Sequence, residues 1–277
     1  MGNLKPTNDF VFKKLFGQEK NLGLLKDLLQ SILTDIQIKK IEIDKDITLD
    51  RRLIDDKYGV LDILATINDG TKINIEMQVD DNKNTIDRSL FYGTGIYHES
   101  LKSGQDYIEN PPLISIWITN YNIFNEGPFH ERAMLRRDYE YILLTKSLEL
   151  HYIQLPKFKE KCKRISNKLE EWLTFIINEN VEEIKMSENE NIRKAQEELE
   201  YLTGDAERRR RAFLIEKGRR DREAAIAGAT RRGKEEGIKE NKIETAKKML
   251  AKNINIDLIS EITGFTKEEI TNIKAKM

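Results

Sequence analysis

A mixed α/β domain built on a sheet, followed by a helical C-terminal extension, is the fold class that this sequence predicts. Three observations carry it. Before about residue 155, apolar–polar alternation at period two interleaves with helical spacing. The run Leu113-Ile114-Ser115-Ile116-Trp117-Ile118 is apolar enough for a central strand covered on both faces. After about residue 155 the text turns charged and almost continuously helical, so sheet and helices are segregated along the chain.

The elements follow in order. Thr7, Asn8 or Asp9 can cap a first helix that carries Phe10, Phe12, Leu15 and Phe16, and Gly17 can end it. Leu24, Leu25, Leu28, Leu29 and Ile32 recur at helical spacing and predict a second helix from Asn21 to about Leu33. Ile36-Gln37-Ile38 and Ile41-Glu42-Ile43 alternate like strands. Val60 to Ile67 and Lys72 to Val79 are the strongest strands, and Asn68-Asp69-Gly70 between them signals a hairpin. Thr85 to Lys102 reads as a helix stopped by Ser103-Gly104. Pro111-Pro112 precede the central strand, and further strands are expected at Glu131–Arg136, Tyr141–Leu144 and Leu148–Leu155.

This reading divides the chain into four stretches. Residues 1–158 form the core domain, and 159–203 are helices packing on it, with Trp172, Phe175 and Ile176 turned inward. Residues 204–242 form a charged helical linker interrupted by Gly218, Gly228, Gly233 and Gly237. Each such glycine costs a helix about 1 kcal/mol relative to alanine, so this helix wants a partner. Residues 243–277 form a small helical module, whose last helix opens on a capping-type Thr266-Lys267-Glu268-Glu269.

Composition excludes several classes. No stretch approaches the roughly 18 apolar residues of a membrane span. Basic residues number 47 and acidic residues 48, so bulk charge points to no nucleic-acid partner and any such surface must be local. One cysteine, Cys162, allows neither an internal disulfide nor a thiolate metal site. The opening residues carry no hydrophobic region, and a cytoplasmic location is predicted.

The central hairpin carries the chemistry. With a three-residue loop of Asn68, Asp69 and Gly70, Ile67 faces Thr71. Counting back along both strands sets Asp62 across from Glu76, with Gln78 their diagonal neighbour. The other face checks this register, because Leu61 then pairs Met77, Ile63 pairs Ile75 and Ala65 pairs Ile73, all apolar. Two adjacent carboxylates are unfavourable without a positive charge between them. A divalent metal resolves that conflict, since Mg²⁺ takes one or two protein carboxylates plus phosphate oxygens and water. Such an ion generates hydroxide and polarises a phosphodiester. A solvated acidic pair on an exposed hairpin face is the ordinary alternative. Val60 and Leu64 beside Asp62 favour a covered face.

Asp9-Phe10-Val11-Phe12-Lys13-Lys14-Leu15-Phe16, Val60-Leu61-Asp62-Ile63-Leu64-Ala65 and Ile73-Asn74-Ile75-Glu76-Met77-Gln78 together resemble the recombination-promoting nuclease, or PD-(D/E)XK nuclease transposase, family. The resemblance covers most of the chain. It implies a restriction-endonuclease-like fold, a mixed sheet flanked by helices, and Mg²⁺- or Mn²⁺-dependent DNA cleavage linked to recombination or transposition. It makes Asp62 and Glu76 metal ligands, puts Gln78 where the superfamily has lysine, and makes Asp9 a further acid near the metal. Leu61 stands in place of the proline of the eponymous motif. An amide at Gln78 can hydrogen-bond water but is not a useful base, and Lys13 or Lys72 are the cations that can compensate. A catalytically weak or inactive nuclease-fold protein, acting as a DNA-binding or protein-interaction module, is the rival reading.

Other residues divide between roles. Arg88 and Tyr92 share a helix face and can meet a phosphate. Arg208 to Arg211, Arg219-Arg220 and Arg231-Arg232 are the strongest basic runs, but interleaved acids make a solvated or self-associating helix the commoner outcome. A homodimer through the C-terminal helices is expected on the ground that cutting both DNA strands needs two sites. His98, His130 and His151 are scattered without metal-ligand spacing and read as structural.

Overall fold

The first helix, α1 (Asp9–Phe16), begins where the Asn8 side chain accepts the Val11 N–H at 3.3 Å. That choice of cap leaves the Asp9 carboxylate to pair with Lys13. The helix ends as the Gly17 N–H meets the Lys13 carbonyl, and buries Val11, Phe12, Leu15 and Phe16. The computed structural model describes residues 4–44, 62–68, 70–81, 83–162, 164–179, 181–204 and 206–275. Contacts group the chain into two units, Met1–Glu216 and Lys217–Met277.

In the first unit, α1 is followed by α2 (Leu22–Ile32) and the strands β1 (Ile41–Ile43), β2 (Ile63–Ile67) and β3 (Thr71–Gln78). Next come α3 (Thr85–Ser100), β4 (Leu113–Thr119), β5 (His130–Met134) and β6 (Leu148–Gln154). The helices α4 (Leu155–Lys161), α5 (Lys168–Ile177), α6 (Val181–Lys185) and α7 (Glu190–Gly204) complete it. The six strands form one mixed sheet in the order β1-β2-β3-β4-β6-β5. β3, β4 and β6 run parallel at its centre, and the other pairings are antiparallel. This is the expected restriction-endonuclease-like α/β architecture: a mixed sheet with flanking helices, followed by C-terminal helices.

Side-chain parity splits the sheet into two unlike faces. Ile73, Ile75 and Met77 of β3 and Ile114, Ile116 and Ile118 of β4 join α1, α2, α5 and α7 in the main core, with Trp172 and Phe175 fully enclosed. A buried side chain of this size contributes about 1.5–3 kcal/mol through removal from water. The opposite face packs α3 through Tyr92 and Ile96 on Leu113, Trp117, Leu150 and Tyr152. Gly93 lets α3 come this close, because a Cβ there would stand only 3.3 Å from Leu148 Cδ1. All of β4 is buried, as its apolar run requires.

Two expected strands do not form. Ile36–Ile38 stays outside the sheet because side chains serve its backbone instead: Gln30 Nε2 donates to the Ile36 carbonyl, Gln30 Oε1 accepts from Ile38 N, and Asn68 Nδ2 donates to the Gln37 carbonyl. Tyr141–Leu144 is cut short by a turn in which Glu140 and Tyr141 take left-handed φ values, leaving one isolated bridge, Arg136 with Leu143.

In the second unit the end of α8 (Ala206–Ala251) packs with α9 (Ile256–Thr263) and α10 (Lys267–Ala275) around buried Ala246, Ile259 and Ile270. Thr266 and Glu269 form the expected reciprocal cap, each side chain taking the other's backbone N–H. Among the described residues no helix is long and apolar enough to cross a membrane.

Candidate active site

The hairpin register predicted from the loop is the one observed, with Ile67 opposite Thr71, Ala65 opposite Ile73 and Ile63 opposite Ile75. Gly70, at φ 117°, supplies the conformation that closes the turn. Val60, Leu61 and Asp69 lie outside the described residues, and with them the expected Leu61–Met77 pair. Where the ladder ends beyond Ile63, side chains take over from backbone. The Met77 N–H donates to Asp62 Oδ2 at 2.7 Å, and the Asp62 N–H donates to Glu76 Oε1 at 3.4 Å. Each carboxylate thus binds backbone beside the other, which holds the two acids together.

Both acids are withdrawn from water. Glu76 is 2% exposed and the Asp62 side chain 7%. Burial pushes the Asp62 carboxyl up to about 7; nearby Lys13 pulls it down, while Asp9 adds to the rise. Burial, and then the neighbouring Asp62, hold the Glu76 carboxyl well above the usual carboxylate range.

α1 delivers the balancing charge. Lys13 Nζ lies 3.0 Å from Asp62 Oδ1 and 3.2 Å from Asp9 Oδ1, so it bridges the helix acid to the hairpin acid. Burial works against the ammonium, but Asp62 and Asp9 together raise its pKa. The helical spacing of Asp9 and Lys13, one turn apart, sets both on the edge of α1 that faces the hairpin.

Gln78 and Arg88 continue the cluster on the other side. Gln78 Nε2 donates to Glu76 Oε2 at 3.3 Å, and Arg88 Nη1 donates to Gln78 Oε1 at 3.0 Å. The Arg88 guanidinium lies 5.5 Å from the Tyr92 ring centroid and 5.6 Å from that of Trp117, and those two rings stack at 5.9 Å. Asp62, Glu76, Gln78, Asp9, Lys13, Arg88 and Tyr92 are therefore brought into one region. Lys72 is not. It pairs with Asp44 at 2.7 Å and Thr66 at 2.8 Å, four positions back along β3 from Glu76 and so about 13 Å away.

The sequence reading placed Trp117 in the core but missed its support of Arg88, and missed Ser115 and Asn74 beneath it. Ser115 Oγ accepts from Trp117 Nε1 at 3.0 Å and from Asn74 Nδ2 at 3.4 Å. Parity held that signal, since Asn74 and Glu76 face Ser115 and Trp117 across the β3–β4 pair. The histidines were read as scattered, yet His130 and His151 meet across β5 and β6 at 2.8 Å. His151 Nε2 lies 2.7 Å from Glu149, Arg132 joins Glu149 at 3.0 Å, and Arg132 reaches Asp35 at 2.8 Å. Burial, His151 and Arg132 push His130 down to about 4.

Among the described residues no group of three or more His, Cys, Asp and Glu is arranged to hold a metal. The donor set at the hairpin nonetheless suits a hard cation: two carboxylates, all oxygen, with the Lys13 ammonium already drawn to one of them. A family model described as PD-(D/E)XK nuclease family transposase matches residues 6–229. No curated protein and no solved structure matches the chain.

Proposed function

The chain belongs to the PD-(D/E)XK nuclease family transposases, and on that premise we propose that it is a divalent-metal-dependent DNA endonuclease acting in recombination or transposition, with Asp62 and Glu76 at its centre. One observation carries the reading. Two carboxylates are buried side by side at the end of the hairpin, each tied to the backbone next to the other, and a cation is recruited to them. Burying like charges together disfavours the fold, so the arrangement argues for a positively charged ligand.

Asp62 and Glu76 would hold Mg²⁺ or Mn²⁺, which when bound supplies Lewis-acid polarisation of a phosphodiester and an acidified water. The remaining roles fall to side chains of this chain. Asp62, whose carboxyl burial raises to about 7, would give up its proton on taking up the cation. Lys13 offers the cation that Gln78 lacks, within reach of the same carboxylate and steadied by Asp9. Gln78 orients by hydrogen bonding and takes no proton. DNA is the partner in this proposal, met by the basic runs of α8, and a homodimer through the C-terminal helices would bring two sites to a duplex.

The test is cleavage of supercoiled plasmid with Mg²⁺ or Mn²⁺ by the wild-type chain, Asp62→Asn and Glu76→Gln. Nicking or linearisation by wild type alone supports the reading. Equal cleavage by all three overturns it. DNA binding without cleavage by any of them leaves the rival, a non-catalytic nuclease-fold module.

A further inference from the structure

We propose that Arg88 is a positioning residue, one that orients the Gln78 amide so that Gln78 acts as a hydrogen-bond donor to a DNA phosphate. The inference rests on the nuclease reading above and adds how a site with glutamine in place of lysine obtains a donor. A glutamine amide has an accepting end and a donating end, and nothing in its shape decides which faces where. Arginine carries donors only. The group that meets Arg88 Nη1 at 3.0 Å is therefore Oε1. That choice turns Nε2 toward Glu76 Oε2 at 3.3 Å, which uses one of its two N–H groups. The second N–H is left to offer to a phosphate oxygen beside the carboxylates. With the amide reversed, Gln78 would present an oxygen to Glu76 and to the phosphate alike, and both encounters would be repulsive.

Arg88 is itself fixed, as an orienting group must be. Its guanidinium lies over the stacked Tyr92 and Trp117 rings, which are 3% and 0% exposed. Ser115 pins the Trp117 indole from below. A planar guanidinium on an aromatic face keeps one orientation, which a flexible ammonium does not.

The full-length chain, labelled with ¹⁵N-glutamine, tests this directly. The Gln78 side-chain amide is assigned by its loss in Gln78→Met. The N–H that meets Glu76 should be resolved and slower to exchange than its geminal partner in the wild type. In Arg88→Met its exchange should accelerate at least tenfold, and Arg88→Leu should do the same if the methionine variant does not fold. In plasmid cleavage, Arg88→Met should lower kcat about 10- to 100-fold, on the scale of losing one oriented donor, with KM for DNA unchanged within about twofold. The double variant with Gln78→Met should be no slower than Gln78→Met alone. Unchanged amide exchange, a rise in KM with kcat intact, or independent multiplication of the two defects would each overturn the proposal. If Asp62→Asn cleaves as well as wild type, the nuclease reading has failed, and amide exchange still decides whether Arg88 orients Gln78.

Discussion

Replacing Asp62 with asparagine should stabilise the metal-free protein at alkaline pH. Burial pushes the carboxyl from its ordinary 3.8 up to about 7 in the fold. That difference of roughly three units, at 1.36 kcal/mol each, is about 4 kcal/mol. The folded state binds the proton more tightly, so the ionised form is penalised. The penalty is absent below about pH 4, grows as pH rises, and is complete above about pH 7. Glu76 shifts in the same direction. His130 works oppositely, because its lowered pKa costs stability as pH falls from 6.5 toward 4. Wild type alone would therefore mix these effects, whereas the difference between wild type and Asp62→Asn cancels His130. Asparagine keeps the oxygen that accepts the Met77 N–H but loses the attraction to Lys13. That attraction is already counted in the shift, so most of the 4 kcal/mol should survive, or roughly 8–16 °C in Tm for a unit of this size. Thermal melts in chelator between pH 5 and 8 measure it. A variant less stable than wild type at pH 8, or a difference independent of pH, refutes the reasoning.

Three further outcomes follow from the same geometry. Mg²⁺ at about a hundred times its Kd should stabilise wild type by roughly 2.7 kcal/mol at pH 8 but not Asp62→Asn or Glu76→Gln, with proton release visible in calorimetry across buffers of different ionisation heat. Lys13→Met should move the pH at which the Asp62 penalty is complete upward by about one to three units, since an opposite charge at 3.0 Å is lost; an unmoved profile means that Lys13 does not govern Asp62. Arg132→Met should cost about 1–3 kcal/mol in urea unfolding, because it withdraws one of the groups paired with the buried Glu149, and an unchanged midpoint would show that His151 suffices.

What the sequence disclosed depended on periodicity. Ile63, Ala65, Ile73 and Ile75 alternate so strictly that the hairpin register, and with it the Asp62–Glu76 pairing, was legible before any coordinates. The apolar run from Leu113 to Ile118 announced the buried strand β4 by composition alone. Ile36–Ile38 misled because alternation cannot reveal that Gln30 and Asn68 will satisfy the backbone from the side. The histidine pair was invisible for a different reason. His130 and His151 meet only once β5 and β6 choose their antiparallel register, and the 13 residues between the two strands leave that choice open. Lys13 and Lys72 were equal candidates on paper. Only the packing of α1 on the sheet brings Lys13 to Asp62, while Asp44 claims Lys72.

The two faces of the β2–β3 hairpin supply their own control. On one face Ile63–Ile75 and Ala65–Ile73 are apolar pairs buried in the main core, the arrangement that stability selects. On the other, at the end of the same strands, Asp62 and Glu76 are enclosed almost as completely and burial raises both of their pKa values. A solvated acidic pair would show neither the burial nor the shifts. Net stability of a domain is commonly 5–15 kcal/mol, so a local cost near 4 kcal/mol at one carboxylate is a large fraction of the whole. That cost stands after Lys13 and the Met77 N–H have acted on the carboxylate. At alkaline pH, where protonation no longer relieves it, positive charge between the acids does, and the proposed metal would bring that charge together with the phosphodiester it acts on.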